Sequence, residues 1–419
     1  MLYVFALTLV IVGLGYLVVT LALSRVKKPI RMRGFDPELF VFVVPALDEE
    51  RVIGRTVLNL LAACGDRGRV VVVNDGSADR TAEILAMVGT DRVSVLERRA
   101  PNARHGKGAA LNEAYRFIRH NVLAQGIDPQ QVVVGIVDAD GRLEADALER
   151  VSPYFRDPGV GAVQLLVRIR NRARWLARFQ DYEFLVFSSL TQTAREKLGS
   201  VGLGGNGQFT RLAALMDLGD DPWTACLTED LDLGVRLAVA GWENRFCGET
   251  YVDQQGLTSI RSLVRQRTRW AQGHFQCWRL LPRIARSDLP TTTVLDMSYY
   301  LIAPAMVLVQ SLVFSLGWAW FAYEVAGDPG TWLSPRAGVY LALMYLISMG
   351  PGLYLTNIYR RRSTELSLAQ GFAMAHLLVL YNYLWYAAEW RAIWRILRRR
   401  SGWVKTARAS EGAEGVFVT

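Results

Sequence analysis

Three acidic signposts and one basic-aromatic string follow one another in this chain. They are Asn74-Asp75-Gly76-Ser77, Asp138-Ala139-Asp140, Thr228-Glu229-Asp230 and Gln266-Arg267-Thr268-Arg269-Trp270. Two carboxylates one residue apart offer hard oxygen ligands for a divalent cation, and with it a way to neutralise a diphosphate. A Glu-Asp pair can supply the base that takes a proton from a hydroxyl. Arg with Trp offers cations for a departing diphosphate and an aromatic face for a sugar ring. An apolar stretch opens soon after Trp270. The set therefore reads as chemistry on a nucleotide-linked sugar at a membrane surface.

Each piece also has a plainer reading. Asp140 could bind Mg2+ or Mn2+ while Asp138 faces ribose or metal, but Asp-x-Asp is also a common solvated turn. Asp75 could accept from the N3–H of uracil, or simply form a turn. Lys107, in His105-Gly106-Lys107-Gly108, could approach a phosphate or the base, or mark a helix-entry loop. Asp230 is the choice for the base, with Glu229 as support; acidic residues at a helix start also cap it and stabilise its dipole. Gly205 and Asn206 lie in the glycine-dense Gly204–Gln208, suited to a close approach of backbone to sugar or to a tight turn. Gln266, Arg267, Arg269 and Trp270 could equally form a basic interfacial helix. Arg279, Arg283 and Arg286, interleaved with Leu280, Leu281 and Ile284, would continue it.

The elements that must position these residues alternate. Leu39–Val44 is a continuous apolar run, as in a buried parallel strand, and Pro45 ends it. Helical spacing follows over Glu49–Ala63. Arg69–Val73, Val93–Leu96 and Val132–Val137 read as further strands, with helices over Thr81–Val88 and Ala109–Ala124. This β-α-β-α order predicts an α/β fold with a parallel sheet covered by helices on both faces. Asp48 and Glu49 follow strand one, Asp75 strand two, and Asp138 and Asp140 strand four. Ligands of open α/β sheets sit at the carboxyl ends of strands, so these residues should converge. No GxGxxG or GxxxxGK[ST] string occurs, which disfavours a dinucleotide oxidoreductase or P-loop ATPase.

With 419 residues the chain has room for one large soluble domain and a membrane part. Met1–Ser24 carries no charge and covers a bilayer core of roughly 30 Å at about 1.5 Å per residue. Arg25, Lys27, Lys28, Arg31 and Arg33 follow it. A secretory signal would carry its positive charge before the apolar run. The expectation is a retained anchor over 1–24, amino end outside, and a cytoplasmic catalytic domain over 25–272 in the cell membrane. An amphipathic segment is expected over 273–296, two to three membrane helices over 297–390, and a basic tail over 391–419.

The later apolar stretches are Met297–Tyr323, Ala337–Tyr359 and Leu366–Ala388. Arg360–Arg362 and the basic tail both read as inner segments, yet a single crossing cannot separate them. Leu366–Ala388, with Gln370, His376 and Asn382, is therefore expected to be re-entrant or interfacial, unless a helix has been miscounted. The net charge of +9 comes mostly from such flanks, so a basic membrane-facing surface is expected and nucleic-acid binding is not. Cys64, Cys226, Cys247 and Cys277 are scattered without a CxxC pair, which fits reduced thiols.

The ordered set resembles the inverting glycosyltransferases of family 2. More closely it resembles their membrane-integrated branch, with cellulose, chitin, hyaluronan and poly-N-acetylglucosamine synthases. The resemblance covers Phe40 to Trp270, and Trp403-Val404-Lys405-Thr406 looks like the tail of bacterial members. It implies a GT-A fold, a Rossmann-like nucleotide-diphospho-sugar transferase domain, with a UDP-sugar donor and a Mg2+ or Mn2+ ion. It implies Asp75 on uracil, Asp138 and Asp140 on ribose and metal–diphosphate, and Asp230 as base. Gln266, Arg269 and Trp270 would line the acceptor channel and the diphosphate. Pro45, Asp48 and Glu49 fall in the donor-side motif, where Asp48 replaces the usual Asn. No appended regulatory β-barrel is expected.

The leading expectation is β-linking transfer, processively, of glucose or N-acetylglucosamine to a growing glycan. The alternative is transfer of one sugar to a membrane lipid. An inactive scaffold fares worst, since every acidic position is filled. Donor, acceptor and bilayer are the expected partners; export partners are not legible.

Overall fold

The computed structural model describes residues 2–363 and 365–400; Trp403–Thr406 and the end of the basic tail lie outside them. Eight strands make one sheet: β1 (Leu39–Ala46), β2 (Gly68–Asn74), β3 (Val93–Glu97), β4 (Val132–Ile136), β5 (Arg142–Leu143), β6 (Val160–Ile169), β7 (Gln208–Arg211) and β8 (Glu243–Gln254). Their order is β3-β2-β1-β4-β7-β6-β8-β5. The helices used below are α1 (Leu2–Leu23), α2 (Ile53–Cys64), α3 (Thr81–Val88), α4 (Lys107–Ala124), α5 (Glu229–Val239), α6 (Ile260–Gln276), α7 (Thr291–Gly327), α8 (Pro335–Ser363) and α9 (Leu368–Leu397).

The apolar run of β1 is central because both faces are covered. Phe40, Phe42 and Val44 pack with Ile53, Val57 and Leu60 of α2. Val41 and Val43 pack with Leu111, Ala114 and Ile118 of α4. Phe42 is 0% exposed, so Phe42→Ala would cost about 3–5 kcal/mol in lost burial and cavity.

Strands β2, β1 and β4 pair in parallel, as expected, but the second half of the sheet is mixed. β7 runs antiparallel to both β4 and β6. The cause is local. Gly207 N–H donates to Ile136 O at 2.9 Å, which anchors the Gly204–Gly207 loop at the carboxyl end of β4. A strand that starts where its neighbour ends must run the other way. Gly205 and Gly207 turn the chain there with φ of +70° and +68°, a region that favours glycine.

Helix α6 runs across the expected 272/273 boundary, and α7 begins before 297. Two helices, α7 and α8, are long and apolar enough to cross a membrane. α1, with 22 residues and no charge, also has the length. α9 is one unbroken helix of 30 residues, not a re-entrant pair. Its two ends touch the domain that carries the sheet. Glu365, just before it, pairs with Arg172, while Arg395 donates to Gln272 of α6 at 3.0 Å. Both ends of the 30-residue helix are thus held by the body that carries the sheet. Leu368, Leu380 and Leu397 are exposed along it.

Candidate active site

Three loops meet at the carboxyl ends of β1, β2 and β4. Asp75 N–H donates to Ala46 O at 2.8 Å, which seats the Asn-Asp-Gly-Ser turn beside the end of β1. The Asp75 carboxylate is buried, ion-paired with Arg98 and accepting from Arg104 N–H at 3.0 Å. Asp48 has a structural task. Its N–H donates to Ser77 Oγ at 2.9 Å and its Oδ1 accepts from Ala78 N–H at 2.7 Å, clasping the two loops together. Asp48 keeps φ at +51°, a conformation that Asn and Asp tolerate better than most side chains.

Lys107, the first residue of α4, joins the two halves of the site. Its Nζ donates to Asp138 Oδ1 at 2.6 Å and to Gly205 O at 3.1 Å, and stands 3.8 Å from Glu229 Oε1. Gly108 permits this entry, because a Cβ there would meet Thr224 O at 2.5 Å. Burial works against the ammonium, but Asp138, Glu229 and Asp230 outweigh it and its pKa is raised.

Glu229 and Asp230 open α5, with Asp232 completing an acidic first turn that the helix dipole favours. Burial raises Glu229 to about 7, and the Asp230 charge adds to it. Burial likewise raises Asp230 above the ordinary carboxylate range, against the pull of Lys107 and Arg269. A carboxylate raised this way is a stronger base when ionised.

Helix α6 grips the same segment from the other side. Arg269 Nη1 donates to Leu227 O at 3.0 Å, and Leu227 N–H donates to Gln276 Oε1 at 2.9 Å. Gly273 lets the helix close in, since a Cβ there would lie 2.6 Å from Thr228 N. The Sγ atoms of Cys226 and Cys277 stand 3.7 Å apart. All four cysteines are free and buried, but these two are neighbours rather than scattered.

A cavity of about 1710 Å³ gathers most of the expected residues. Pro45, Glu49, Asp75, Lys107 and Asp138 line it, as do Asn206, Glu229, Asp230, Gln266, Arg269 and Trp270. Asp48, Asp140, Gly205 and Arg267 do not. Gly205 takes part through its carbonyl on Lys107. Asp140 is fully buried behind Asp138, its Oδ2 accepting from Gln255 N–H at 3.0 Å. Arg267 turns away from the cavity. It pairs with Glu183 at 2.5 Å and lies over the rings of Trp270 and Trp385, at 4.0 and 4.9 Å from their centroids. Arg267 is 1% exposed, so it braces Trp270 rather than meeting a ligand.

The donor set suits a hard cation. Asp138 presents a carboxylate to the cavity, and Asp138, Glu229 and Asp230 crowd around Lys107, an excess of negative charge that a cation would relieve.

Sequence reasoning missed three parts of the site. Glu183 and Trp385 hold the brace from the segment after β6 and from α9. Trp385 Nε1 donates to Glu183 Oε1 at 2.5 Å. Glu389 lines the far end of the cavity. Glu389 stands just past the uncharged run Leu366–Ala388 and two residues before Arg391, so in the sequence it has the look of an ordinary flanking charge.

Residues 37–273 match the family model described as glycosyltransferase like family 2. The chain is 36% identical over 277 residues to a beta-monoglucosyldiacylglycerol synthase of Synechocystis, covering 63% of this chain and 55% of that protein. It is 27% identical over 240 residues to a poly-beta-1,6-N-acetyl-D-glucosamine synthase of Staphylococcus aureus, covering 56% and 54%. The chain thus spans about half the length of these curated relatives. Among solved structures it is similar to a mannosyltransferase from Pyrobaculum calidifontis in complex with GDP-Man and Mn2+. The TM-score is 0.63 at 21% identity, covering 94% of this chain and 99% of that one.

Proposed function

Because the chain belongs to glycosyltransferase family 2, with the GT-A fold, we propose that it moves one glucose from a UDP-sugar to the hydroxyl of a membrane lipid. One observation carries this reading: the cavity holding Asp230 continues between α7, α8 and α9, where Val307, Met349, Leu355 and Leu378 line it. That lining suits acyl chains. The 36% identity to a monoglucosyldiacylglycerol synthase supports the acceptor and the sugar. Processive addition to a growing glycan is the second reading, supported by the 27% identity to a poly-N-acetylglucosamine synthase.

In this reading Asp75 accepts from uracil and Asp138 receives ribose. Lys107 faces the diphosphate, with Pro45, Asp48 and Glu49 shaping the donor loop. A divalent ion, Mg2+ or Mn2+, held by Asp138, with Asp140 supporting that loop from behind, would supply charge neutralisation for the diphosphate. Asp230 takes the proton of the acceptor hydroxyl. The hydroxyl oxygen attacks the anomeric carbon from the face opposite UDP. The bond from that carbon to the diphosphate oxygen breaks, its electron pair leaves with UDP, and the configuration inverts. Arg269 and Lys107 meet the charge that develops on the leaving group, while Gln266, Trp270 and Asn206 border the sugar and the Gly205 carbonyl holds Lys107. α1, α7 and α8 cross the bilayer, with the amino end outside and the catalytic domain cytoplasmic. α9 lies along the inner interface, between Arg360–Arg362 and the basic tail.

The test is product analysis. Purified protein in mixed micelles is given UDP-glucose, Mg2+ or Mn2+, and a diacylglycerol. A lipid carrying one hexose is the expected product. A ladder of long glycan that forms without added lipid overturns the reading in favour of the second.

A further inference from the structure

The membrane-side lobe of the cavity contains a carboxylate with no assigned role. Glu389 of α9 is 4% exposed and lines the lobe, and its Oε2 has no hydrogen-bond partner among the described residues. It lies one helical turn, about 6 Å of rise, beyond Trp385. The Trp385 ring is 6.4 Å from that of Trp270, and Trp270 lines the cavity with Asp230. On its other side Trp390 Nε1 donates to Ser311 Oγ of α7 at 3.0 Å. Glu389 is thus set in the wedge between α6, α7 and α9, on the path from the bilayer to the base.

The rest of the lobe shows what could meet it. Gln310 of α7 and Asn382 of α9 are uncharged hydrogen-bonding groups there. Among the described residues of α7, α8 and α9 that line the cavity, no Lys, Arg or His occurs, and Glu389 is the one charged type. A lipid phosphate brought into this lobe would lose its water and meet no cation on these three helices. Burying its charge there costs more than uncharged hydrogen-bonding groups return. A head bearing only hydroxyl or ester groups would find hydrogen-bonding partners in Glu389, Gln310 and Asn382.

We infer that Glu389 is an acceptor-positioning residue: with Gln310 and Asn382 it engages the head of an uncharged, hydroxyl-bearing lipid. This deepens the lipid-acceptor reading and rests on it.

The experiment compares two acceptors, dioleoylglycerol and a polyprenyl phosphate, in the same mixed micelles with UDP-glucose. Wild type should glycosylate dioleoylglycerol at least tenfold more efficiently. Glu389→Ala should raise the KM for dioleoylglycerol about tenfold with kcat within threefold. Glu389→Gln, close in shape and still hydrogen bonding, should keep that KM within threefold. UDP affinity and the melting temperature report whether each variant is folded. If wild type glycosylates dioleoylglycerol but a folded Glu389→Ala keeps its KM within twofold, the role of Glu389 is overturned alone. Equal or preferred use of the polyprenyl phosphate by wild type also overturns it. If neither lipid is glycosylated and long glycan forms, the lipid-acceptor reading itself has failed.

Discussion

Gly205 stands so close to Asp230 that a methyl group on it would lie 2.6 Å from Asp230 Oδ2. The same glycine has φ of +70°, which L side chains rarely adopt. Gly205→Ala should therefore displace the carboxylate proposed as base and strain the turn at once. A displacement on the order of 1 Å can cost about 100-fold in rate. The expected result is a 10- to 100-fold fall in kcat with donor affinity within threefold. A Gly205→Ala enzyme with normal kcat would show that Asp230 has room the geometry denies it.

Asp230→Asn keeps the shape and removes the basicity. Base catalysis of this kind contributes about 10²–10⁴-fold, so transfer should fall by that factor while UDP still binds. Stopped-flow or UDP-release kinetics beside a UDP-binding isotherm separate the two effects. Glu229→Gln should cost less, because Lys107 keeps its contacts with Asp138 and Gly205. Wild-type turnover in Asp230→Asn would remove Asp230 from the role of base.

Arg267 and Glu183 form a brace beneath Trp270, and removing one partner strands the other in a buried setting. Arg267→Ala should destabilise the protein by about 3 kcal/mol, the low end for a broken buried pair because Glu183 retains Trp385. Arg267→Met with Glu183→Leu should recover part of that loss. Thermal melting in detergent reads both. Unchanged melting in Arg267→Ala would mean that the ring stacking, and not the ion pair, holds α6 against α9.

His274 sets a pH limit on stability. Burial lowers its pKa to about 4 from the 6.5 of a free imidazole, and its ring sits 3.0 Å from Tyr300 O. Between those values the unfolded chain binds a proton that the folded one refuses. Its contribution is intact above about pH 6.5 and is lost as the pH falls towards 4, by about 3 kcal/mol in all. Melting temperature should drop across that window less steeply in His274→Gln than in wild type. Parallel slopes would place the acid sensitivity on other groups.

β1, β2 and β4 were legible because each is a short buried run closed by a turn signal, while β3 is a half-buried strand at the sheet edge. Leu39–Val44 and Arg69–Val73 fall within one or two residues of the observed strands. β7 was not legible, since its direction depends on Gly207 docking to Ile136, a contact between distant residues. The acidic residues of the site were legible for the same reason as their strands: a strand end fixes them. Arg267 and Arg269 are two positions apart on a helix, so they cannot share a face. The motif gave no indication which would look inward, and only Glu183 and Trp385, contributed by other segments, decide it. The charge conflict around α9 was legible, and Arg172 and Gln272 show what the two ends of that helix contact.

The apolar lobe between α7, α8 and α9 changes what a lipid substrate must do. Lifting one acyl chain of about sixteen carbons into water would cost roughly 13 kcal/mol, at about 0.8 kcal/mol per methylene. Few enzymes could recover such a sum from a small head group. With Val307, Met349 and Leu378 continuing the lining towards Asp230, the tails can stay in hydrocarbon-like surroundings while the hydroxyl reaches the base. Only the head needs to be dehydrated, so turnover would depend on how freely the lipid diffuses sideways and on how much of it the leaflet holds.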